Sequence, residues 1–278
     1  MAKYENPKSI LITGASAGIG ESLALHYAQP GVTLFLGGRD EARLSAVAEA
    51  CREKGAEAFT WVGNVTDADA MEGWVFESNA KVPLNLVIAN AGIAAGSATV
   101  RGLHDAATRA FEINVNGVFN TVHPALTVMA DRPLPVADAQ IAIVSSVMGY
   151  IGTARSPAYS SSKGALKSYG EGLRGAFKGV GIGVTVICPG YVITPMMGPN
   201  AADYPFAMEA DKAASVIARG LARNKARVTF PWQVRFLARF AMNLPGFLMD
   251  RVNQPWGVPR LEEAIAAENK QADLDKAD

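Results

Sequence analysis

The sequence predicts a doubly wound α/β fold, in which helices cover both faces of a parallel sheet. The first half of the 278-residue chain alternates short β-branched runs with longer amphipathic segments, which is typical of repeated strand–helix–strand units. Several of the short runs are continuously apolar, as expected for strands that are buried on both faces. Hydrophobic residues make up 49% of the chain, which is enough for the core of a three-layer α/β/α domain.

The first strand is expected over Ser9–Thr13 and its helix over Ile19–Gln29, with Gly31 near the helix end. A second helix is expected over Glu41–Lys54, where apolar residues recur at helical spacing. Asp67 has the position and chemistry of a cap for a third helix. The other expected strands are Val32–Leu36, Ala56–Val62, Leu84–Ala89, Gln140–Ser145 and Gly183–Cys188.

Charge and cysteine content disfavour several classes of protein. The 26 basic residues balance the 26 acidic ones, so no overall positive field favours nucleic acid. The two cysteines, Cys51 and Cys188, are too few for a disulfide framework or a Cys/His metal cluster. The N-terminus lacks a secretory pattern, and prolines interrupt the uncharged stretch 179–202. We therefore expect a soluble, cytoplasmic protein without a metal.

We expect one domain over residues 1–231 and a helical extension over residues 232–278. Seven basic and no acidic residues occur from Lys212 to Met249, and large apolar residues recur every fourth position: Trp232, Phe236, Phe240 and Leu244. This pattern predicts a basic amphipathic helix. Segment 223–249 has three interpretations: a subunit interface or lid, a peripheral membrane contact, or a solvated surface helix. The acidic end, residues 262–278, is expected to be mobile.

A glycine-rich turn joins the first strand to the first helix, with the sequence Thr13-Gly14-Ala15-Ser16-Ala17-Gly18-Ile19-Gly20. A helix N-terminus beside the carboxyl end of a strand can hold a pyrophosphate. Gly14 would permit a sharp turn, Gly18 would let phosphates approach the backbone, and Gly20 would let the helix pack closely. The alternative is an ordinary glycine-rich turn, because short glycine patterns recur by chance.

The end of the second strand carries Arg39, where an NAD site usually has an acidic residue. A guanidinium can pair with the 2′-phosphate of NADP(H), whereas a carboxylate would repel it. Asp40 is expected to cap the helix that begins at Glu41, more than to bind ribose, and Arg43 to lie on a solvated helix face. Arg39 therefore favours NADP(H) over NAD(H).

A second group of polar residues follows a central strand. Ser145 and Ser146 end that strand, and Tyr159 and Lys163 are spaced to share one face of the next helix. A nearby ammonium would lower the pKa of the phenol toward the range of a proton shuttle. A surface tyrosine and lysine would give the same spacing, so the pair is informative only together with the glycine turn.

In these motifs, and in their order and spacing, the chain resembles the short-chain dehydrogenase/reductase family over roughly Ser9 to Pro195. The matching elements are Thr13-Gly14-xxx-Gly18-Ile19-Gly20, Asn90-Ala91-Gly92, Asn114, Ser146, Tyr159-xxx-Lys163 and Pro189-Gly190. The resemblance implies a Rossmann-type fold that binds a nicotinamide dinucleotide. It also implies a catalytic tetrad of Asn114, Ser146, Tyr159 and Lys163.

The resemblance implies a role for each tetrad residue. Tyr159 would act as the acid in reduction and the base in oxidation, and Ser146 would hydrogen-bond the substrate oxygen. Lys163 would bind the nicotinamide ribose, and the backbone of Asn114 would hold a water that links Lys163 to solvent. The implied cofactor contacts are Gly14, Ser16, Ala17, Gly18, Ile19, Gly20, Arg39, Asn64, Val65, Asn90, Ala91, Gly92, Tyr159, Lys163, Pro189, Gly190, Val192 and Thr194.

The chain departs from the family pattern at two places. Asn64 stands where the family often has Asp, although its carbonyl oxygen can still accept a hydrogen bond from adenine. The C-terminal part lacks the Gly-Gly ending of many tetrameric members. A homodimer or a tetramer is expected, with the tetramer less favoured.

The expected substrate contacts are mostly apolar, and they are Ile93, Ala94, Met148, Tyr150 and Tyr191. The segment Met196 to Met208 suits either a flexible apolar lid or a loop packed on the core. No cluster of Arg or Lys is ready for an anionic substrate, so a neutral hydrophobic ketone, aldehyde or secondary alcohol is expected. The alternatives to a hydride-transferring oxidoreductase are a dinucleotide-binding regulator without turnover and an isomerase or dehydratase that recycles its cofactor.

Overall fold

The computed structural model describes Tyr4, residues 6–96, 100–154 and 156–251, and residues 263, 265 and 266. Within them the strands are β1 (Ser9–Thr13), β2 (Thr33–Gly38), β3 (Glu57–Val62), β4 (Leu86–Ala89), β5 (Gln140–Val144), β6 (Gly183–Pro189), β7 (Val192–Ile193), β8 (Met208–Glu209) and β9 (Arg227–Phe230). The helices are α1 (Gly18–Tyr27), α2 (Glu41–Glu53), α3 (Ala68–Lys81), α4 (Val100–Phe111), α5 (Gly117–Ala130), α6 (Pro157–Phe177), α7 (Ala210–Ala222) and α8 (Trp232–Ala241).

Seven strands form one sheet in the order β3-β2-β1-β4-β5-β6-β9, and all of its neighbouring strands are parallel. β7 and β8 form a separate two-stranded parallel sheet. The chain moves outward from β1 to β3, then returns to place β4 on the other side of β1. A crevice therefore opens beyond the carboxyl ends of β1 and β4, where the direction of winding reverses.

Alternate residues of β1 pack on opposite faces of the sheet, as the pleat of a strand requires. Ile10 and Ile12 are buried in a core with α1, α2 and α7. Leu11 is buried in a second core with α3, α5 and α6. The two cores cover both faces of the sheet, which confirms the doubly wound three-layer fold class.

The expected strands are present with ends that differ by up to two residues, and α1 ends at Tyr27 instead of Gln29. Asp40 and Asp67 both cap helices, because their carboxylates accept hydrogen bonds from Arg43 N and Ala70 N at 3.0 and 3.1 Å. Gly31 lies beyond the helix end with φ of 79°. The sequence pattern gave no expectation for α4.

The basic stretch from Lys212 to Met249 contains several elements, and the helix expected from the recurring Trp232, Phe236 and Phe240 begins at Trp232. Arg227–Phe230 forms the edge strand β9, whose alternate residues Val228 and Phe230 are buried beside β6. Helix α8 begins only at Trp232. The division into residues 1–231 and 232–278 stays a prediction, and most of the acidic segment 262–278 lies outside the described residues. No helix of the described part combines the length and apolar character needed to cross a membrane.

Candidate active site

A cleft of about 420 Å³ runs along the carboxyl ends of the parallel strands. It extends from Arg39 and Asn64 at one end to Ser146 and Tyr159 at the other. Of the residues expected to contact the cofactor, all except Gly20 line it. Chain segments distant in the sequence therefore meet in one continuous crevice, as at the ligand sites of other doubly wound sheets.

The glycine turn lies between β1 and α1. Gly14 and Gly18 have φ of 65° and 62°, a left-handed conformation in which a side chain would be strained. A Cβ on Gly14 would lie 2.9 Å from Ala91 Cα. A Cβ on Gly20 would overlap the Gly14 carbonyl oxygen, so this glycine lets α1 pack against the turn from below. The turn and the N-terminus of α1 form a cradle of backbone that side chains would fill.

Thr13 and Asn90 connect the glycine turn to the end of β4. The Thr13 hydroxyl oxygen accepts hydrogen bonds from the backbone N–H groups of Asn90 and Ala91 at 3.0 and 3.1 Å. The Asn90 side-chain amide donates to the carbonyl oxygens of Thr13 and Gly14 at 3.0 and 3.2 Å. These four bonds hold the two strand ends in register beneath the cleft. The sequence pattern did not predict the contribution of Thr13.

At the outer end of the cleft, two arginines flank one carboxylate. Arg39 is exposed at the end of β2 and lines the cleft. Asp40 accepts the helix-capping bond from Arg43 and also pairs with Arg43 Nε at 3.1 Å. Arg43 was expected on a solvated helix face; it is largely exposed and lines the cleft as well. The local charge at this end is therefore positive.

The wall opposite the arginines is formed by β3 and the loop after it. Asn64 lines the cleft, and its side-chain oxygen accepts a hydrogen bond from Thr66 N at 3.3 Å. Trp61 also lines the cleft and stacks on Trp74 with ring centroids 4.8 Å apart. Trp61 was not predicted as a cleft residue, because β3 is an edge strand without a clear alternation of buried residues.

The other end of the cleft is formed by β5, α6 and the loop after β6. Ser146 lies two residues after β5, and its hydroxyl oxygen accepts a hydrogen bond from Met148 N at 3.1 Å. Lys163 is buried and donates from Nζ to the Val144 carbonyl oxygen at 2.9 Å. Its Nζ lies 5.8 Å from the centroid of the Tyr159 ring. The spacing of Tyr159 and Lys163 on α6 therefore directs both side chains into the same cleft as the glycine turn.

Burial acts on the charge of both α6 side chains. It lowers the pKa of Lys163 to about 8, while the nearby Cys188 raises it slightly. Enclosure by protein raises the pKa of Tyr159, and a hydrogen bond with Ser146 lowers it in part. The sequence had suggested that Lys163 would bring the pKa of Tyr159 down. In the folded protein desolvation instead raises the pKa of Tyr159, and the Lys163 ammonium donates its hydrogen bond to the Val144 carbonyl oxygen.

Asn114 lies behind the cleft, in a π-helical turn formed by Glu112–Asn116 between α4 and α5. Its side-chain oxygen accepts a hydrogen bond from Ile93 N at 2.7 Å, and its amide donates to the Ile93 carbonyl oxygen at 3.1 Å and to Ser162 Oγ at 3.0 Å. The hydrogen bonds of this buried side chain thus hold two elements in place, the loop after β4 and helix α6. Ser162 was not predicted, since a serine in a helix carries no distinctive sequence signal.

A family model of the short-chain dehydrogenases matches residues 8–205, which includes every motif of the cleft. The chain belongs to the short-chain dehydrogenase/reductase family. It is therefore an NAD(P)-dependent oxidoreductase.

Two related proteins and one solved structure of another protein support the assignment of this chain to the short-chain dehydrogenase/reductase family. The chain is 34% identical to an uncharacterized oxidoreductase of Myxococcus xanthus over 244 residues, which is 87% of this chain and 95% of the relative. It is 30% identical to the 3-oxoacyl-(acyl-carrier-protein) reductase FabG of Staphylococcus aureus over 193 residues, or 68% and 76% of the two chains. A short-chain type dehydrogenase/reductase from Mycobacterium marinum matches in structure with a TM-score of 0.72 at 26% identity, covering 80% of this chain and 93% of the other.

Only two of the five residues expected to contact the substrate of this short-chain dehydrogenase/reductase line a cleft. Ile93 lines the main cleft, and Ala94 lines a neighbouring cleft of about 320 Å³ that also includes Ile93, Asp105 and Arg109. The other three expected contacts are not among the residues that line either cleft: Met148, Tyr150 and Tyr191. Substrate contact through them stays a prediction that this arrangement does not support.

Tyr150 points toward β9 and α6 instead of the main cleft. Its hydroxyl group lies 3.0 Å from Thr229 Oγ1 and accepts a hydrogen bond from Arg227 at 3.4 Å. Lys167 Nζ and the Arg227 guanidinium lie 5.3 and 5.5 Å from its ring centroid. Arg227 also pairs with Glu171. This cluster links the short helix after Ser146 to the sheet edge and to α6. These contacts explain the position of Tyr150 without any contact to a substrate.

The segment expected to be a lid or a packed loop has features of both. Met196 and Met197 line the main cleft, and Met196 is exposed. Tyr204 packs against Tyr191 with ring centroids 4.5 Å apart. The first part of the segment therefore borders the cleft with mobile apolar side chains, while the later part is anchored to the protein.

Within the described residues, no group of three or more His, Cys, Asp or Glu is placed to hold a metal ion.

Proposed function

We propose that this enzyme transfers a hydride between NADP(H) and a neutral hydrophobic ketone, aldehyde or secondary alcohol, with Tyr159 as acid and base. The observation that carries the proposal is the position of Tyr159, Ser146 and Lys163 in the same cleft as the glycine turn. A binding protein would need the glycine turn alone. The addition of a phenol, a hydroxyl and a buried ammonium supports turnover over a regulator without catalysis.

The residues present fit a nicotinamide dinucleotide. The backbone cradle at Gly14 and Gly18 and the N-terminus of α1 suit a pyrophosphate, because unpaired N–H groups and the helix dipole favour an anion there. Thr194 faces the turn, since a Cβ on Gly18 would lie 2.9 Å from its methyl carbon, and it is proposed to contact the carboxamide. When bound, the cofactor supplies or accepts the hydride.

The charge at the outer end of the cleft supports NADP(H) over NAD(H). The exposed Arg39 guanidinium can pair with a 2′-phosphate through two hydrogen bonds. The carboxylate of Asp40 accepts the α2 capping bond and is paired with the Arg43 guanidinium, and this positive charge offsets the repulsion between Asp40 and the phosphate. Asn64 is proposed to accept a hydrogen bond from the adenine amino group.

At the catalytic end, Tyr159 is proposed to donate its phenolic proton to the substrate oxygen in reduction and to remove the proton in oxidation. Ser146 hydrogen-bonds the same oxygen and holds it near the phenol. Lys163, as an ammonium, stabilises the phenolate that remains and binds ribose hydroxyls. The Asn114 backbone is proposed to hold the water through which Lys163 exchanges protons with solvent, while its side chain fixes the loop at Ile93.

The substrate class follows from the walls near Tyr159. Ile93, Met196 and Met197 are apolar, and Lys163 is the cation among the described residues of this end. A neutral hydrophobic carbonyl compound would bury its apolar surface there without an unpaired charge. The Staphylococcus aureus relative is named for an acyl-carrier substrate, and such a substrate is the second candidate.

The test is a panel of neutral apolar ketones and aldehydes, a charged sugar and an acyl-carrier substrate, each assayed with NADPH and with NADH by the absorbance of the reduced nicotinamide. The expected result is consumption of NADPH with the apolar carbonyl compounds. Turnover of the charged or carrier-bound substrates alone would contradict the substrate class. Product formation without net change of the nicotinamide absorbance would identify an isomerase or dehydratase instead.

The proposal also includes the cellular compartment and the oligomeric state of the enzyme. Cys51 and Cys188 are both buried free thiols, which supports a reducing, cytoplasmic compartment. We place the chain in a homodimer or a tetramer, and light scattering on a sizing column measures the mass of the assembly directly. A monomer at micromolar concentration would contradict this part without affecting the proposed reaction.

A further inference from the structure

Helix α8 presents large apolar side chains to solvent. Its outward surface, the basic aromatic face, consists of Trp232, Arg235, Phe236, Arg239 and Phe240. Trp232, Phe236 and Phe240 are 74%, 68% and 60% exposed. These are the residues that recur every fourth position in the sequence, so the apolar stripe of this helix points away from the core. An exposed patch of this kind marks a surface that contacts a partner.

The inward side of α8 already attaches the helix to the protein. Ala238 is buried and Val234 is half-buried, and a Cβ placed on Gly190 would lie 3.6 Å from Val234 Cγ1. Small apolar residues therefore make the contact with the fold, while the large ones do not contribute to it. Packing against the residues that the structure describes therefore does not account for the position of Trp232, Phe236 and Phe240.

The apolar surface continues past the end of α8. Leu237 within α8 and Met242 directly after it are exposed, and residues 246–251 form a further short helical segment with Phe247 70% exposed. Within one stretch of twenty residues, bulky apolar side chains thus recur on the outside of the protein. Phenylalanine and tryptophan at this density suit the boundary between headgroups and acyl chains of a bilayer.

The charged side chains of α8 and its flanking segments, residues 212–249, are all positive. No acidic residue occurs from Lys212 to Met249, and Asp250 beside Arg251 is the first carboxylate after it. Arg235 and Arg239 are exposed and form no ion pair with any residue that the structure describes. Two unpaired guanidinium groups next to three aromatic rings would be attracted to a surface of phosphate headgroups.

We propose that the basic aromatic face docks the enzyme on an anionic lipid bilayer. A second copy of the chain is less suitable, because an isologous contact through this face would bring Arg235 and Arg239 of two subunits together with no carboxylate on α8 to neutralise them. An anionic bilayer offers both an apolar layer for the rings and negative charge for the guanidinium groups. The helix would lie in the plane of the interface and would not cross it.

Docking at this face places the catalytic end of the cleft next to the membrane. Helix α8 packs against β9 and against the short helix Val147–Gly149, which directly follows Ser146. Its contact at Gly190 involves a residue that lines the cleft. A hydrophobic molecule dissolved in the bilayer would therefore have a short path to the site. The docking itself does not depend on the proposed reaction, and it is measured without substrate or cofactor.

The experiment is co-sedimentation of the full-length chain with vesicles of phosphatidylcholine containing phosphatidylglycerol, and with vesicles of phosphatidylcholine alone. Two variants test the face: Arg235→Gln with Arg239→Gln, and Phe236→Ser with Phe240→Ser. We expect the arginine variant to bind the anionic vesicles roughly 30-fold more weakly, since each cation near such a surface contributes about 1 kcal/mol. The phenylalanine variant is expected to bind at least about tenfold more weakly.

Matched controls remove the same side chains elsewhere. Lys178→Gln with Lys212→Gln deletes two exposed cations outside α8, and Phe76→Ser with Phe111→Ser deletes two exposed rings; both are expected to bind like the wild type. Thermal unfolding checks that each variant is folded.

Three results would overturn the proposal. The first is wild-type chain that stays in the supernatant with anionic vesicles, and the second is equal binding to neutral vesicles. The third is a phenylalanine variant with a changed assembly mass in analytical ultracentrifugation but unchanged vesicle binding, which would make the face a subunit interface.

Discussion

Lys163 and Tyr159 are the two side chains on which the proposed chemistry depends, and the folded protein disfavours the charged form of both. Burial lowers the pKa of Lys163 to about 8 and raises the pKa of Tyr159. Near neutral pH the lysine is still mainly an ammonium, so it can stabilise a phenolate that forms during the reaction. Above pH 8 that stabilisation is lost, because the lysine becomes neutral.

Replacing Tyr159 with Phe removes the proposed proton donor and leaves the ring in place. We expect kcat/KM to fall by at least about 100-fold, because general acid–base catalysis contributes that much or more. The affinity for NADPH should change by no more than about twofold. Steady-state kinetics and a fluorescence titration measure the two effects.

Tyr169→Phe is the control for that substitution, because it deletes a hydroxyl group from the same helix. Tyr169 hydrogen-bonds His123 at 2.6 Å and does not line the cleft. Its variant is expected to keep wild-type activity. A Tyr159→Phe enzyme with near wild-type turnover would remove this residue from the mechanism.

The lowered pKa of Lys163 also predicts how stability depends on pH. The folded chain releases this proton near pH 8, whereas an exposed lysine releases it near 10.5. Between these values the unfolded chain binds more protons, so raising the pH favours the folded state at this site. We expect the free energy of unfolding of the wild type to rise relative to Lys163→Met across this window, by up to roughly 3 kcal/mol.

Urea unfolding of both proteins at several pH values across that window measures the difference. Lys178→Met is the control, since Lys178 is exposed, and its difference from wild type should be nearly constant. A difference for Lys163→Met that is flat or falls with pH would show that this side chain is not desolvated in solution.

At the scale of elements, the glycine turn depends on close contact between α1 and β1. A Cβ at Gly20 would overlap the Gly14 carbonyl oxygen, whereas a Cβ at Gly73 in α3 would meet nothing within 4 Å. We expect Gly20→Ala to lower the free energy of unfolding by about 1–3 kcal/mol through overpacking. Gly73→Ala, the matched control, should raise it by about 0.5–1 kcal/mol, because alanine is the better helix former.

Chemical denaturation of the two alanine variants gives both values. The Gly20→Ala protein should also bind NADPH more weakly, since any shift of α1 moves the N–H groups of the pyrophosphate cradle. If Gly20→Ala were as stable as Gly73→Ala, the close packing of α1 on the turn would be wrong.

Across the whole molecule, the cleft exists because the chain reverses its direction of winding between β3 and β4. Loops after β1, β2, β4, β5 and β6 then converge on one edge of the sheet, and each contributes residues to the same crevice. A ligand along this crevice would contact several elements at once. Its binding free energy should therefore stabilise the entire domain against unfolding.

Cofactor binding should consequently raise the melting temperature. A ligand at a hundredfold excess over Kd contributes about 2.7 kcal/mol, which corresponds to roughly 5 °C or more in a domain of this size. We expect NADPH to stabilise the protein more than NADH at equal concentration. Arg39→Ala should reduce that difference, because it removes the proposed partner of the 2′-phosphate.

Differential scanning fluorimetry with each dinucleotide measures these shifts without any substrate. Arg219→Ala, which removes an exposed arginine from α7, is the control and should keep the preference. Greater stabilisation by NADH would contradict the assignment of Arg39.

Much of the fold could be predicted from the sequence, since strands, capped helices and glycine turns carry local signals. The caps at Asp40 and Asp67 and the shared face of Tyr159 and Lys163 follow from helix geometry alone. Strand β9 was missed because a four-residue edge strand inside a basic stretch has too few alternations to be recognised. Trp61 was missed because its edge strand β3 shows no clear alternation of buried residues.

The sequence by itself determined which elements form and in what order their functional residues follow, because periodicity, capping and turn chemistry act between residues close along the chain. Only the tertiary structure decided where individual side chains point. It turned Tyr150 toward Thr229, aimed Trp232 and Phe236 at solvent, and buried Lys163 deeply enough to lower its pKa. Those outcomes depend on contacts and desolvation supplied by segments far apart in the chain, which no local pattern encodes.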